Sequence, residues 1–484
     1  MSTFYFRTLF LVTVLASICG CALGPDYERP QVLLSEKFIQ SGGEGESIAN
    51  LEWWELFSDP VLVELINVAL ERNKELGAAV ARIERARAIL GITRADQFPR
   101  LDLRGNATRT DASDEAFAFA VAPFNNFGLF TDLSFEIDIW GRLRRATEAQ
   151  RAELLSSEYA QRAFVVTLVS EVASTYFTIL GLEHRLGISQ GTLNNRRGAT
   201  ELIAERLNKG VVPEIDLNQA QIEEASAAVA VTVLERDLRQ AEHALSVLLG
   251  GLPAEIPRGK SLYDQSFALE LPAGFPAELL ERRPDVRAAE ESAHAAVARV
   301  GVAIGDRLPS LNLLGFVGLE SIEDSNFFHG NAKTWSIGGS LLGPLIDFGR
   351  SSSAIDAAEA EAKEALLGYE QSVIQAVREV EDALVAIRTT REGQKYRENQ
   401  VTAARNAATL SRTRYDEGIA PYLEVLDIER SLFEAELGAS NQRETYLRSV
   451  VQLYKALGGG WVQESLLPIH AELAKETPAV DSAS

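Results

Sequence analysis

The chain is poor in cysteine: among 484 residues only Cys19 and Cys21 occur, so the sequence beyond them can form no internal disulfide. Histidine is scarce as well. His184, His243, His294, His329 and His470 are scattered without the spacing that builds a metal site, and they read as solvated or packed side chains. There is no phosphate-binding loop of the Gly-x4-Gly-Lys-Ser/Thr type and no Gly-x-Ser-x-Gly elbow. The pairs Gly301/Gly305 and Gly315/Gly318 stand without a dinucleotide-binding context. The expectation is no enzyme, no cofactor and no metal. Positive charge is also in deficit, with 47 Lys and Arg against 69 Asp and Glu, a formal charge of −22. That excludes nucleic acid, because no basic stripe is left to neutralise phosphates. An acidic surface or an acidic lumen fits instead.

What is present begins with a processing signal. Arg7 precedes the apolar stretch Leu9 to Ile18, which is too short to span a bilayer as a helix, and small residues follow. Residues 1–20 are therefore expected to be a signal peptide. Ile18-Cys19-Gly20-Cys21 resembles a bacterial lipobox, whose last cysteine is acylated. Cysteine at its second position departs from that pattern, and ordinary cleavage near Ala22, leaving no anchor, is the alternative. Each buried methylene of an acyl chain contributes roughly 0.8 kcal/mol, so two or three chains anchor a protein durably. Ala22, where some lipoproteins carry Asp, implies sorting to the outer membrane.

The chain is also written twice. Phe98-Pro99-Arg100-Leu101 matches Leu308-Pro309-Ser310-Leu311 at an offset of 309 − 99 = 210, and Leu70-Glu71-Arg72 matches Leu280-Glu281-Arg282 at the same offset. Trp140-Gly141-Arg142 then aligns with Phe348-Gly349-Arg350 at 349 − 141 = 208. That register holds onward: Leu207-Asn208-Lys209-Gly210 meets Tyr415-Asp416-Glu417-Gly418, Pro213 meets Pro421, and Leu248-Leu249-Gly250 meets Ala456-Leu457-Gly458. A tandem duplication of about 200 residues is the economical account.

Each copy has a helix, a Pro, two short alternating segments, a Gly and then a very long helical stretch with a Gly/Pro turn in it. Val165, Leu168, Val172, Tyr176 and Ile179 form a narrow apolar stripe, as do Leu366, Tyr369, Val373, Val377, Val380, Leu384 and Ile387. If fully helical, Arg142 to Leu207 is about 100 Å long, though Gly181, Gly187, Gly191 and Gly198 each weaken it and leave a break open. Leu101 to Thr108 and Leu133 to Ile139 alternate apolar and polar, with Leu311–Leu319 and Trp335–Leu342 as their counterparts. They fit either membrane strands or two amphipathic hairpins of a soluble protein. Four strands cannot close a barrel, so insertion into lipid implies several chains sharing one.

At this point whole motifs resemble a known family. Cys21-Ala22-Leu23-Gly24-Pro25-Asp26-Tyr27-Glu28-Arg29-Pro30, Trp53-Trp54-Glu55-Leu56-Phe57-Ser58-Asp59-Pro60 and Leu280-Glu281-Arg282-Arg283-Pro284-Asp285-Val286 with Ala289-Glu290 are similar to signatures of outer-membrane factors. The branch is that of lipoproteins serving resistance-nodulation-division efflux pumps. The resemblance implies a mainly α protein with a small β part, built from a duplicated helix–β-hairpin–long helical hairpin unit. It implies a homotrimer with a twelve-stranded transmembrane β-barrel, four strands per chain, continued by a periplasmic α-helical barrel. The segments are then a lipid-anchored start and part of an equatorial belt (21–60), a first repeat (61–250), a linker (251–275), a second repeat (276–458) and a tail (459–484). Strands are expected at about 101–110, 129–139, 311–320 and 335–342. The implied function is a passive outer-membrane export duct for small molecules. Its implied partners are a periplasmic adaptor protein, an inner-membrane transporter of the same pump and outer-membrane lipid, with a covalent lipid at Cys21. A protein-secretion duct and a lipid-anchored coiled-coil scaffold are the rivals.

The turns carry the candidate site. In each, Gly ends one helix and Pro opens the next: Gly210-Val211-Val212-Pro213 and Gly418-Ile419-Ala420-Pro421. By the resemblance, Gly210, Val212, Pro213, Gly418, Ala420 and Pro421 face the adaptor. Glu424 and Asp427 match acidic residues ringing the closed pore, and Asp216 with Tyr415 matches part of its latch. Asp216 and Glu424 also suit a helix N-terminus, worth roughly 0.3–1 kcal/mol each, whereas Asp427 lies beyond the first turn. An acidic ring favours cations, since carboxylates about 7 Å apart repel by roughly 0.6 kcal/mol even in water. Ala420 stands where related channels often carry a basic latch residue, which leaves Arg412, Arg414 and Lys209 as substitutes.

Overall fold

The structure is a computed structural model that describes residues 22–32, 39, 58–111, 123–265, 267 and 282–459. Cys21, the Trp53–Phe57 part of the second motif, Leu280-Glu281, most of the expected equatorial segments and the tail after 459 lie outside the described residues. The order is α1 (Pro60–Arg72), α2 (Lys74–Ala95), β1 (Arg100–Thr110), β2 (Phe124–Ile137), α3 (Arg142–Asn208) and α4 (Glu214–Leu248), then α5 (Pro284–Asp306), β3 (Ser310–Ser321), two short 3-10 turns, β4 (Lys333–Leu342), α6 (Arg350–Asp416) and α7 (Tyr422–Ala456). The duplication is visible in lengths: α3 and α6 have 67 residues each, and α4 and α7 have 35 each. The helix α3 runs unbroken through its four glycines. Each costs about 1 kcal/mol relative to Ala, and burial of Val165, Leu168, Val172, Tyr176 and Ile179 in one core outweighs that loss.

The chain divides into two compact units, each drawing on both copies: one from stretches within 1–31, 81–159 and 287–371, the other from 32–80, 160–286 and 372–484. The first contains a four-stranded antiparallel sheet of order β1-β2-β3-β4. Its register aligns the alternation of all four strands. Leu101, Leu133 and Gly315 with Ile337 fall in one row, and Leu103, Thr131, Val317 and Trp335 in the next. On this apolar face Leu101, Leu103, Val317, Trp335, Ile337 and Leu341 are 62% to 76% exposed, and Leu129 is 39% exposed. The other face carries Asp102, Arg104, Asn106, Asp132, Ser134, Asn312, Glu320 and Ser336. There Phe130 is only 6% exposed, enclosed by its own sheet. Phe316 meets it edge-on at 5.5 Å, the Arg104 guanidinium lies 4.4 Å above its centre, and Gly128 and Gly318 flank it.

The N-terminal motif forms a strap on the same unit. Leu23 donates to the carbonyl of Trp140 at 3.0 Å, and Arg145 binds Asp26 at 2.6 Å. Tyr27 stacks on His294 with centroids 5.0 Å apart, and Arg29 grips both carboxylate oxygens of Glu290 at 2.6 and 2.8 Å. Gly24 has φ +101°, and a Cβ there would come within 2.5 Å of the Gly301 Cα. The residues that marked the motif are those that dock it.

The second unit holds the main core, where α1 packs Leu62, Leu65, Ile66 and Ala69 against α3. By length and composition α3 could cross a membrane, but Leu168, Val172, Ala173, Tyr176 and Phe177 are buried in this core. Beneath lies Asp59, wholly buried, the N-cap of α1 with Pro60 at its first position. Its carboxylate accepts from the Val61 N–H at 3.0 Å, the Tyr176 hydroxyl at 2.9 Å, the Lys260 N–H at 2.9 Å and Gln265 Nε2 at 2.8 Å. Four donors on one carboxylate tie α1, α3 and the 260–265 segment together. The second motif's Asp-Pro is thereby explained.

The helix ends at 210 and 418 are Schellman caps. Gly210 has φ +71°, its N–H meets the Leu207 carbonyl at 2.8 Å, and Val211 N–H meets Arg206 at 2.9 Å. Gly418, also at φ +71°, repeats this with Tyr415 at 2.9 Å and Arg414 at 2.8 Å. Asp59→Asn, which turns an acceptor into a donor among donors, lowers stability by about 3 kcal/mol, read from denaturant unfolding midpoints. Gly418→Ala has open space around its new methyl and so costs only the left-handed backbone, about 1–2 kcal/mol; Gly418→Asn costs less, and hydrogen exchange at 415–422 reads the difference.

Candidate gate at the paired helical turns

Both turns belong to the second unit, and they share a small core. Ile203 of α3, Ala220 of α4 and Tyr422, Val425 and Leu426 of α7 are buried together, with Val212, Leu217 and Tyr415 packed around them. Pro213 and Pro421 cap α4 and α7 from extended backbone, φ −75° and −72°. Tyr415 and Tyr422 lie 5.3 Å apart, and Arg206 covers Tyr415 at 5.4 Å from its centre. Burial first, then the nearby Glu429 carboxylate, pushes the Tyr422 phenol up to about 12. It stays neutral at any physiological pH.

The four candidate gate residues are placed differently. Asp427 is exposed, its side chain 67% accessible, and Glu424 is half-buried at 37%. Each has an arginine: Arg414 Nε is 3.2 Å from Glu424, and Arg430 is 3.3 Å from Asp427. Arg414 thus takes the cationic place next to Glu424 that Ala420 cannot fill. Arg412 binds Glu429 at 3.3 Å, and Lys209 reaches only Glu205, one turn before it, at 3.8 Å. Asp216 is half-buried in the first turn of α4. The Tyr415 hydroxyl is buried without a hydrogen-bond partner among the described residues, so a single copy does not join Asp216 to Tyr415.

The residues expected to face an adaptor differ in exposure. Gly210, Pro213, Gly418 and Pro421 are exposed, but Val212 is half-buried in the shared core and Ala420 is 8% exposed. The cap geometry is the reason: the residue after each Gly points out and the next turns in. The exposed apolar side chains are instead Val211 (69%) and Ile419 (64%), followed by Ile215 (58%) and Leu423 (51%). The sequence signal was available in the repeated Gly-apolar-apolar-Pro, but only cap geometry says which apolar residue is outside.

Nothing in this constellation pairs a nucleophile with a base. It is a packed junction of four helices with exposed carboxylates and exposed apolar residues at its end. Comparison with known proteins agrees with a transport role. The chain matches the outer membrane efflux protein family twice, over residues 65–251 and 275–459, once per copy. It is 32% identical over 453 residues to the solvent efflux pump outer membrane protein SrpC of Pseudomonas putida, covering 91% of this chain and 96% of that one. It is 34% identical over 466 residues to outer membrane protein OprJ of Pseudomonas aeruginosa, covering 93% and 95%. The fold superposes on the crystal structure of the CmeC outer membrane channel of Campylobacter jejuni with a TM-score of 0.85 at 26% identity, covering 94% and 98%. These are ducts and not enzymes, and the chain belongs to the outer membrane efflux protein family, as an outer-membrane component of an efflux pump.

Proposed function

We propose that three copies close their sheets into one twelve-stranded barrel and that the paired helical hairpins continue it as a passive duct through the periplasm. The observation that carries this reading is the sheet itself, apolar and exposed on one face and polar on the other, with β1 and β4 each paired on one side only among the described residues. In hydrocarbon every unpaired backbone group costs several kcal/mol, so an open edge needs a neighbour. Eight strands is the smallest membrane barrel, and four per chain require more than one chain. The polar face, with Arg104 and Asp132 paired at 2.9 Å, then lines the lumen.

Cys21 carries the covalent lipid in this reading. In support, Ala22 lies against Gly141, between the end of β2 and the start of α3, where an acyl chain would reach the membrane. The exposed Val211, Ile215, Ile419 and Leu423 meet a periplasmic adaptor beside Gly210, Pro213, Gly418 and Pro421. An inner-membrane transporter of the resistance-nodulation-division class supplies the energy. The cargo is small molecules, chosen mainly by that transporter. Glu424 and Asp427 ring the closed end, and Asp216 and Tyr415, whose hydroxyl lacks a partner among the described residues of one chain, meet across copies.

Single-channel recording of the purified protein in a planar bilayer tests this. Wild type is expected to show low, cation-selective conductance. Glu424→Ala with Asp427→Ala raises conductance and, by leaving Arg414 and Arg430 unpaired, weakens the cation preference. Pores unchanged by the pair would move the gate elsewhere, and a folded protein that forms no pores would favour a scaffold.

A further inference from the structure

The arginine that Ala420 does not provide has a counterpart deeper in the junction. Glu223, on α4 seven residues past Asp216, is 8% exposed. Its carboxylate is held by two arginines from different helices: Arg196 of α3 at 3.1 Å and Arg430 of α7 at 2.7 Å. Arg196 also donates to the Glu223 carbonyl at 2.7 Å and lies 5.4 Å from the ring centre of Phe433 on α7. Arg430 turns its other nitrogen to Asp427. The exposed candidate gate carboxylate is therefore one arginine away from a buried carboxylate on the other hairpin.

Most neighbouring pairs stay within a hairpin. Arg414–Glu424 and Arg412–Glu429 link α6 to α7, and Arg197–Glu224 links α3 to α4. Arg206–Asp416 does join the two hairpins, but at 3.6 Å with Asp416 52% exposed, where solvent screens it. Glu223–Arg430 is shorter, and its carboxylate is buried. We infer that Glu223 holds the second hairpin against the first, and that releasing Arg430 from it is a step the gate takes on opening. This rests on the reading of the turns as a gate. Widening the passage at Asp427 draws the start of α7 away from α4. Glu223 then keeps Arg196 alone, and a buried carboxylate that loses a partner is costly. Asp427 competes for the same arginine, so the exposed acid and the buried one share a single cation. The charge that faces the pore and the bond that shuts it are thus linked.

The test is a double-mutant cycle read by single-channel open probability in a planar bilayer with the full-length protein. Glu223→Gln and Arg430→Gln are each expected to raise open probability on the order of tenfold. The double variant should rise no further than either single, because one bond is lost in all three. Arg430→Lys keeps the charge and should stay near wild type, which loss of packing alone would not allow. Arg430 is half-exposed, so its variants decide the matter even if Glu223→Gln folds poorly. Gating at the wild-type level in Arg430→Gln, or effects that multiply in the double variant, would overturn the inference while leaving the duct intact. Absence of pores in wild type would overturn the duct reading, and this one with it.

Discussion

A strand at the edge of a sheet has a row of N–H and C=O groups with nowhere to go, and in lipid water cannot take them. That constraint governs the architecture proposed for this chain. The sheet has two such edges, β1 and β4, and a face too apolar for water. Sharing edges between copies answers both problems at once. In the proposed trimer the long helices would share an axis, and the two copies within each chain would make the ring close to sixfold in its repeats while threefold in its chains.

Duplication supplies pairs of equivalent positions, and the structure uses them unequally. Asp216 and Glu424 occupy the same place in their turns, 208 residues apart, while the counterpart of Asp427 is Gln219. Trp140 donates its indole N–H to the carbonyl of Pro309 at 2.8 Å, whereas its partner Phe348 is 99% exposed, at φ +52°. One copy therefore completes its contacts within the chain at places where the other leaves them open.

Much of this was legible in the residues. The 208 offset located both caps, and the spacing of Val165, Leu168, Val172 and Tyr176 marked the face that is buried. Strand limits were harder to read. β2 begins at Phe124, five residues before the expected Leu129, because Phe130 puts an aromatic ring on the polar face and breaks the alternation that would have signalled a strand. In the second copy Gly315, Gly318, Gly338 and Gly339 dilute the same pattern. Glu223 was invisible for another reason: a carboxylate on a charged helix looks the same whether buried or solvated. Its partners lie 27 and 207 residues away, and only folding brings them to it.

The strap also assembles in a set order. Leu23 and Asp26 find Trp140 and Arg145 within the first copy, but Gly24 packs on Gly301 and Arg29 binds Glu290, so the seat is complete only when the second copy has followed. Full docking of the strap therefore marks the arrival of both halves, and a chain cut short before the second copy would leave it held at Trp140 and Arg145 alone.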